Sequence, residues 1–215
     1  MRFDLHVHTD ISSCGRLTIG EILENAKSRG LDGVCITDHD VMEAAHHVRE
    51  GIQDDGLCLI VGMEYATTDG DFLLFGPFES LKPGLRAREV LRLVAENGGA
   101  AVAAHPFRRN RSVSEFVMRE SLCAAMEAVN GRNCPEDNER ADAWRHRYHP
   151  ALTGGSDAHT LPELGKVATR FSRPIAGRAD LIAALLDGAC RPDPTPARLL
   201  PVERPRVRSC ARFFS

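Results

Sequence analysis

The chain has 215 residues, 43% of them hydrophobic, and a formal net charge of −3 at pH 7. This length suffices for one well-buried core and is short for two, so we expect a single domain. The charge excludes a generally basic nucleic-acid binder, although a local basic groove around a phosphate stays compatible with it. No apolar run approaches membrane-spanning length, and the N-terminus lacks the features of a signal peptide, so we expect a cytoplasmic protein without a membrane partner.

Strands and helices alternate in the predicted order of elements. Thr18-Ile-Gly-Glu21 is a capping box that begins one helix, and the Thr-Thr-Asp-Gly turn sequence before Asp71 predicts a hairpin with the region around Tyr65. The predicted strands are Arg2 to His6, Leu31 to Thr37, Leu57 to Gly62, Asp71 to Phe75, Ala100 to Ala104, Ala124 to Val129, Ala151 to Gly154 and Val167 to Phe171. The predicted helices are Thr18 to about Arg29, Val41 to Glu50, Leu85 to Asn97, Ser112 to Glu120, Pro135 to Arg147 and Ala179 to Asp187.

Apart from the hairpin strand, seven strands alternate with helices, which predicts a parallel α/β architecture, either a closed barrel or an open doubly wound sheet. In an open sheet the site draws on a few strand ends, whereas in a barrel the C-terminal end of every strand faces one central site. Polar residues suited to metal binding follow five of the strands, and Glu127 lies on a sixth. The pattern therefore favours a distorted seven-stranded (β/α)7 barrel.

The composition changes near the C-terminus to arginine and proline with few acids. We therefore divide the chain into a barrel domain, residues 1–190, and a tail, residues 191–215. Proline at this density blocks a regular helix or an interior strand. We favour an extended tail packed on the barrel through Leu199, Leu200, Phe213 and Phe214, and the alternative is a basic arm for anionic partners.

Seven cysteines are scattered without C-x-x-C spacing, which indicates neither a disulfide framework nor a zinc knuckle. Reduced thiols are expected, and Cys35 and Cys58, which lie inside apolar runs, are predicted to be small core residues.

Metal-ligand side chains recur at the ends of the predicted strands. His6 and His8 lie two apart on one strand and point the same way, so their imidazoles could converge on one ion. The full set of candidate ligands is His6, His8, His39, Glu64, His105, Asp157 and His159. Mixed nitrogen and oxygen ligands suit zinc, manganese or iron(II). Because the set exceeds what one ion needs, we expect two or three divalent ions; the alternative is that these residues are independent core or capping groups.

Five ordered motifs contain these residues: Phe3-Asp-Leu-His-Val-His-Thr9, Ile36-Thr-Asp-His-Asp40, Gly62-Met-Glu64, Ala104-His-Pro106 and Gly155-Ser-Asp-Ala-His159. They resemble the motifs of the polymerase and histidinol phosphatase (PHP) family over about residues 2 to 190. The resemblance implies a distorted seven-stranded barrel with a di- or trinuclear metal centre that hydrolyses phosphate esters. It implies one ion held by His6, His8, Glu64 and Asp157, a second by Glu64 and His105, and a third by His39 and His159. The segment from Glu127 to Ala141 also resembles small stand-alone bacterial members.

Two positions depart from the family pattern. The first loop has Ser13-Cys14-Gly15 where many members place an aspartate before the glycine, so Asp10 or Cys14 would have to substitute for it. Asp71 stands where members often have a histidine, and it is either a further oxygen ligand or a turn residue.

Four more residues are predicted to act on the substrate or on the ligands. Arg108 and Arg132 are predicted to grip phosphate oxygens, since a planar guanidinium suits bidentate contact, and Asn130 is assigned to substrate binding with them. Either arginine could instead be a solvated surface residue. Asp38 is predicted to orient His39 or to carry a proton, because histidine ligands usually need a hydrogen-bond partner.

The sequence as a whole predicts a hydrolase that acts on a small phosphorylated metabolite or nucleotide. The alternatives are an exonuclease that acts on oligonucleotide ends, which the basic tail favours, a histidinol phosphatase, and an inactive metal-binding scaffold module. A nucleic-acid partner is compatible with the sequence but less favoured than a small phosphate ester.

Overall fold

The structure, a computed structural model, describes residues 1–193, which form a mixed α/β fold. The strands in this range are β1 Arg2–Val7, β2 Gly33–Ile36, β3 Gly51–Ile52, β4 Cys58–Val61, β5 Met63–Thr67, β6 Gly70–Phe75, β7 Ala100–Ala103, β8 Ala125–Asn130, β9 Ala151–Gly155, β10 Ala168–Phe171 and β11 Cys190–Asp193. The α-helices are α1 Ile19–Asn25, α2 Ala87–Glu96, α3 Phe116–Arg119, α4 Pro135–Tyr148 and α5 Arg178–Leu186, and two short 3₁₀ helices span Glu43–His46 and Leu161–Glu163.

The strands form two sheets of mixed direction. One sheet has the order β11-β10-β1-β2-β4-β3, and the other has the order β5-β6-β7-β8-β9. The pairs β1–β2, β2–β4, β7–β8 and β8–β9 are parallel, and the remaining pairs are antiparallel. Isolated bridges join Val7 to Ala158 and His39 to Glu64, next to candidate ligands in each case.

Local sequence signals predicted several elements correctly. Thr18 Oγ1 accepts a hydrogen bond from Glu21 N at 3.1 Å and Glu21 Oε2 accepts one from Thr18 N at 2.9 Å, so the predicted capping box is present. Tyr65 pairs with Phe72 in the antiparallel β5–β6 hairpin. Cys35 and Cys58 are fully buried, as expected of small core residues.

Outside the predicted β5–β6 hairpin, the parallel arrangement expected from the sequence is present only in part. The turn between β5 and β6 is too short for a crossover, which requires a dozen or more residues, so these strands pair antiparallel. β10 also runs antiparallel to β1, and β11 runs antiparallel to β10.

Two predicted helices are much shorter than expected. The segment 41–50 contains only the 3₁₀ turn Glu43–His46, and the segment 112–120 contains only α3. In the first segment only Met42 and Ala44 are buried, so it has too little apolar surface to hold a longer helix against the sheet.

Strand β11, Cys190–Asp193, crosses the predicted boundary between residues 190 and 191, and the division into barrel and tail stays a prediction. Pro192 is tolerated there because β11 is an edge strand, where a missing N–H does not interrupt the sheet. The predicted packing of Leu199, Leu200, Phe213 and Phe214 lies outside the described residues.

The core lies on both faces of the central strands. On β4, Leu59 and Val61 join one apolar cluster, whereas Cys58 and Ile60 join a second. Burial on both faces explains why the sequence of this strand is a continuous apolar run. Within residues 1–193 no helix combines the length and apolarity needed to cross a bilayer; the cytoplasmic location stays a prediction.

Candidate metal centre

The ends of four strands and the start of β5 bring the candidate ligands together. His6 lies on β1 and His8 follows it, His39 follows β2, Glu64 lies on β5, His105 follows β7, and Asp157 and His159 follow β9. His105 has φ 30° and Asp157 has φ 55°, a left-handed conformation that is uncommon outside glycine. Such strain costs of order 1 kcal/mol or more per residue, and it commonly occurs where side chains are aimed at a functional site.

Glu64 is the hub of the cluster. Its Oε2 lies 3.1 Å from His8 Nε2, 3.1 Å from His39 Nδ1 and 3.3 Å from His6 Nε2. Its Oε1 lies 2.8 Å from His105 Nε2. One buried carboxylate therefore contacts four imidazoles, as expected of a group that bridges neighbouring cations.

Asp157 completes the cluster on the other side. Its Oδ1 lies 3.4 Å from His8 Nε2, 3.6 Å from His6 Nε2 and 3.5 Å from His159 Nδ1. Three sets of ligand atoms lie within 4.8 Å of one another: His6 with His8 and Asp157, His6 with Glu64 and His105, and His8 with His39 and His159. All seven candidate ligands belong to at least one of these sets.

The donor set fits metal ions. The Nδ1 atoms of His8 and His105 are buried without a hydrogen-bond partner among residues 1–193, which is costly for a polar group in a protein interior. His6 Nε2 and His8 Nε2 face each other at 3.1 Å, an arrangement that two neutral imidazoles adopt only around a proton or a cation. Imidazole nitrogens and carboxylate oxygens together suit Zn²⁺, Mn²⁺ or Fe²⁺.

The electrostatics of the cluster also favour a cation. Burial would raise the pKa of Glu64, but the charge on His6 and the hydrogen bond from His105 outweigh it and hold this pKa well below its usual range. Burial likewise opposes the charged form of His6, but Glu127 and Asp157 raise the pKa of His6 well above its ordinary value. Burial lowers the pKa of His39 and His159, which keeps their lone pairs available at neutral pH.

Glu127 has a part in the centre that the sequence did not assign. Its Oε1 accepts a hydrogen bond from His6 Nδ1 at 2.9 Å, which leaves Nε2 of that ring facing the cluster. Its Oε2 accepts hydrogen bonds from His105 N at 2.8 Å and Asn130 Nδ2 at 3.0 Å. A carboxylate behind a ligating histidine fixes the ring tautomer and orientation, and the only sequence signal for it was the position of Glu127 on a strand aimed at the site.

The residues predicted to bind substrate lie at different depths. Arg108 Nη2 lies 2.7 Å from Asp157 Oδ2 and 2.7 Å from Asn130 Oδ1, so Arg108 contacts the ligand cluster directly. Asn130 is buried, and its amide donates to Glu127 and accepts from Arg108 and from Arg132 N. The side chain of Arg132 is 42% exposed at the rim, 3.9 Å from Glu163 Oε1.

Asp38 lies behind the first loop. It is buried and accepts hydrogen bonds from Thr9 N and Thr9 Oγ1, both at 2.7 Å, and from Ser12 Oγ at 2.6 Å. Ser12 Oγ in turn accepts from the main-chain N–H of His39 at 3.0 Å. Asp38 is thus connected to His39 through Ser12 and the backbone, and its role in proton transfer stays a prediction.

The structure also shows where the residues at the two departures from the family pattern lie. Asp71 Oδ2 lies 3.8 Å from His105 Nε2 and 2.7 Å from Arg111 Nη1. Within residues 1–193 neither Asp10 nor Cys14 belongs to any of the three ligand sets, and both are exposed.

Fold and site together define an α/β protein with a cluster suited to several metal ions. A family model described as PHP-associated matches residues 135–190. The uncharacterized protein MJ0417 of Methanocaldococcus jannaschii is 30% identical over 182 residues, which cover 80% of this chain and 71% of that protein. The probable phosphatase YcdX of Escherichia fergusonii is 27% identical over 197 residues, 76% of this chain and 80% of that protein. The chain belongs to the PHP family.

Solved structures share the fold. PsfC from Pseudomonas syringae PB-5123 aligns with a TM-score of 0.71 and 22% identity, covering 89% of this chain and 90% of that one. A two-domain protein from Bacteroides vulgatus, which contains a predicted PHP-like metal-dependent phosphoesterase, aligns with a TM-score of 0.68 and 17% identity over 90% of this chain and 64% of that one. Endonuclease Q from Pyrococcus furiosus aligns with a TM-score of 0.65 and 19% identity over 90% of this chain and 59% of that one.

Proposed function

We propose that this protein is a metal-dependent phosphoesterase that hydrolyses the phosphate ester of a small phosphorylated metabolite or nucleotide. The observation that carries the proposal is the bridging position of Glu64, whose two oxygens contact four imidazoles in a buried cluster. The relationship to the probable phosphatase YcdX supports the same reaction class.

The residues that would hold two or three ions of zinc, manganese or iron are the three sets described above. His6, His8 and Asp157 would hold one, Glu64 and His105 a second, and His39 and His159 a third. Ions bound there would supply an activated water as nucleophile and would neutralise the phosphoryl oxygens and the leaving group.

The chain's own cations would bind and orient the phosphate. Contacts of Nη2 with Asn130 and Asp157, and of Nε with Asn133, hold the Arg108 guanidinium beside the ligand cluster. Its Nη1 donors are therefore preorganised for a phosphate oxygen. Arg132, half-exposed at the rim, would meet the anion as it enters. The preorganisation of Arg108 matters because ordering a flexible cation during the reaction would cost part of the binding energy.

The test is elemental analysis of metal per chain, on protein purified without chelator, together with hydrolysis of a generic phosphate ester. We expect two or three equivalents of metal with turnover, and His6→Ala and Asp157→Ala to lose both. Fewer than one equivalent, with no turnover after Mn²⁺ or Zn²⁺ is restored, would refute the proposal. Two or more equivalents with no turnover on any phosphate ester would instead indicate a scaffold module.

A nuclease is the second candidate function. The shared fold with endonuclease Q and the arginines after residue 190 favour it. Comparison of oligonucleotide and mononucleotide cleavage by the full chain tests it, and preference for the oligonucleotide would replace the small-molecule proposal. A histidinol phosphatase stays a prediction from the sequence.

We also infer that the two sheets form the closed, distorted seven-stranded barrel predicted from the sequence. The bridges from Val7 to Ala158 and from His39 to Glu64, which link the sheets at two places, support this inference.

A further inference from the structure

A polar cleft opens beside the metal centre, between the turn of the β5–β6 hairpin and the loop after β7. It has a volume of about 400 Å³, and its polar lining residues are Thr67, Thr68, Asp71, Asn110, Arg111 and Ser112. A second cavity of about 400 Å³ shares Thr67 and Thr68 and continues to Leu85 and Arg86. Both cavities therefore lie against the turn of the hairpin.

Asp71 connects this cleft to the metal centre. Its buried carboxylate lies 3.8 Å from His105 Nε2 and 2.7 Å from Arg111 Nη1. The Arg111 side chain is 49% exposed, so its guanidinium spans from a buried carboxylate to open space. A carboxylate on one edge of the planar group fixes its orientation, and its remaining N–H donors can serve a ligand.

Two arginines beside the centre are thus held by two different carboxylates. Arg108 contacts Asp157, and Arg111 contacts Asp71, which neighbours His105. Arg108 and Arg132 serve the scissile phosphate in the proposed function, so Arg111 is not assigned to it. Arg111 lines a cleft large enough for several atoms, and it has a function there if the substrate carries a second anionic group.

We propose that this cleft receives the part of the substrate beyond the scissile phosphate, and that Arg111 binds a second phosphate or carboxylate there. The inference rests on the proposed function and narrows it to substrates with two anionic groups. Such a group belongs either to a small bis-anionic ester or to the next phosphodiester of an oligonucleotide.

The first experiment varies the distance between the two phosphates of a substrate. The metal-loaded full chain hydrolyses alkanediol bisphosphates, from ethanediol to hexanediol, and the alkyl monophosphates of the same lengths. We expect kcat/KM to favour the bisphosphate by about tenfold at one length, which corresponds to one charge-assisted contact. Arg111→Gln is expected to remove most of this advantage and Arg111→Lys to keep part of it, whereas Arg109→Gln, an exposed arginine on the same loop, keeps all of it.

A binding experiment separates this inference from the proposed function. Titration calorimetry compares non-hydrolysable alkane bisphosphonates with alkyl monophosphonates in the wild type, Arg111→Gln and Arg109→Gln. If no ester is hydrolysed but bisphosphonates bind more tightly in an Arg111-dependent way, the proposed function fails while the second anion site at Arg111 stands. Equal bisphosphonate preference in the wild type and Arg111→Gln, or no preference at any length, would overturn the inference.

The source of the second anion is decided by the same assay with a dinucleotide. An advantage of the dinucleotide over the mononucleotide that Arg111→Gln removes would assign the cleft to a nucleic-acid strand. An advantage confined to the bisphosphates would assign it to a small bis-anionic ester.

Discussion

Substitution of Glu127 by glutamine tests how the centre is organised. The carboxylate accepts one hydrogen bond at Oε1, from His6 Nδ1, and two at Oε2, from His105 N and Asn130 Nδ2. The glutamine oxygen can replace only one of the two carboxylate oxygens. The orientation that keeps two hydrogen bonds puts the oxygen at the Oε2 position and turns the NH₂ group towards His6.

This orientation changes the tautomer of His6. An NH₂ group that faces Nδ1 requires a lone pair on that atom, so the ring proton moves to Nε2. Nε2 is the atom that faces Glu64 and Asp157, and once protonated it cannot bind a metal ion. Loss of such a partner typically costs about 10- to 100-fold in metal affinity. This loss of affinity corresponds to about 1.4–2.8 kcal/mol of metal-binding free energy. The value agrees with the contribution of about 1.5–3 kcal/mol that one hydrogen bond to a charged group makes.

The assay is competition titration of Mn²⁺ or Zn²⁺ into wild type, Glu127→Gln and a control, with the melting temperature measured in parallel. Glu50→Gln is the matched control, because its carboxylate binds Val61 N and Arg178 instead of a candidate ligand. We expect weaker metal binding in Glu127→Gln and none of that loss in Glu50→Gln. Metal affinity in Glu127→Gln within threefold of the wild type would refute the reasoning about the tautomer.

Four further predictions concern the site and the stability of the fold. Arg108→Lys should lower kcat/KM for a phosphate ester by about tenfold or more, because one ammonium cannot keep the contacts to Asn130 and Asp157 and also bind the phosphate. Unchanged kinetics would contradict this. Chelation should lower the melting temperature, and metal at about 100 times its Kd should restore about 2.7 kcal/mol of stability; identical melting curves with and without chelator would refute it. Peptide mass spectrometry after maleimide treatment at pH 8 should find exposed Cys14 labelled and buried Cys123 protected. Burial raises the pKa of Cys123 to about 12, so its reactive thiolate forms only as the pH approaches that value. Thr18→Ala should reduce the free energy of unfolding in urea by about 1 kcal/mol through loss of the α1 cap, and an unchanged transition midpoint would show that the cap contributes nothing.

Elements that depend on neighbouring residues could be predicted from the sequence. The capping box needs only residues 18 and 21, and the hairpin needs only a turn sequence between two apolar runs. The candidate ligands could also be recognised, because each follows or begins a short apolar run and the carboxyl ends of neighbouring strands meet at one edge. For this reason the sequence alone led to the reaction class that we propose and to the seven ligands of the proposed metal centre, but not to the part of Glu127 behind His6.

Only the tertiary structure decided which side chains meet. Glu127 and His6 are 121 positions apart in the sequence, and their contact depends on the order of the strands between them. The pairing of Asp71 with Arg111 across 40 positions likewise has no local signal. The antiparallel directions of β10 and β11 were not predictable from hydrophobic pattern either, since a buried strand has the same composition in both directions. Local pattern therefore specified the elements and the ligand types, whereas long-range packing specified the hydrogen bonds that orient them.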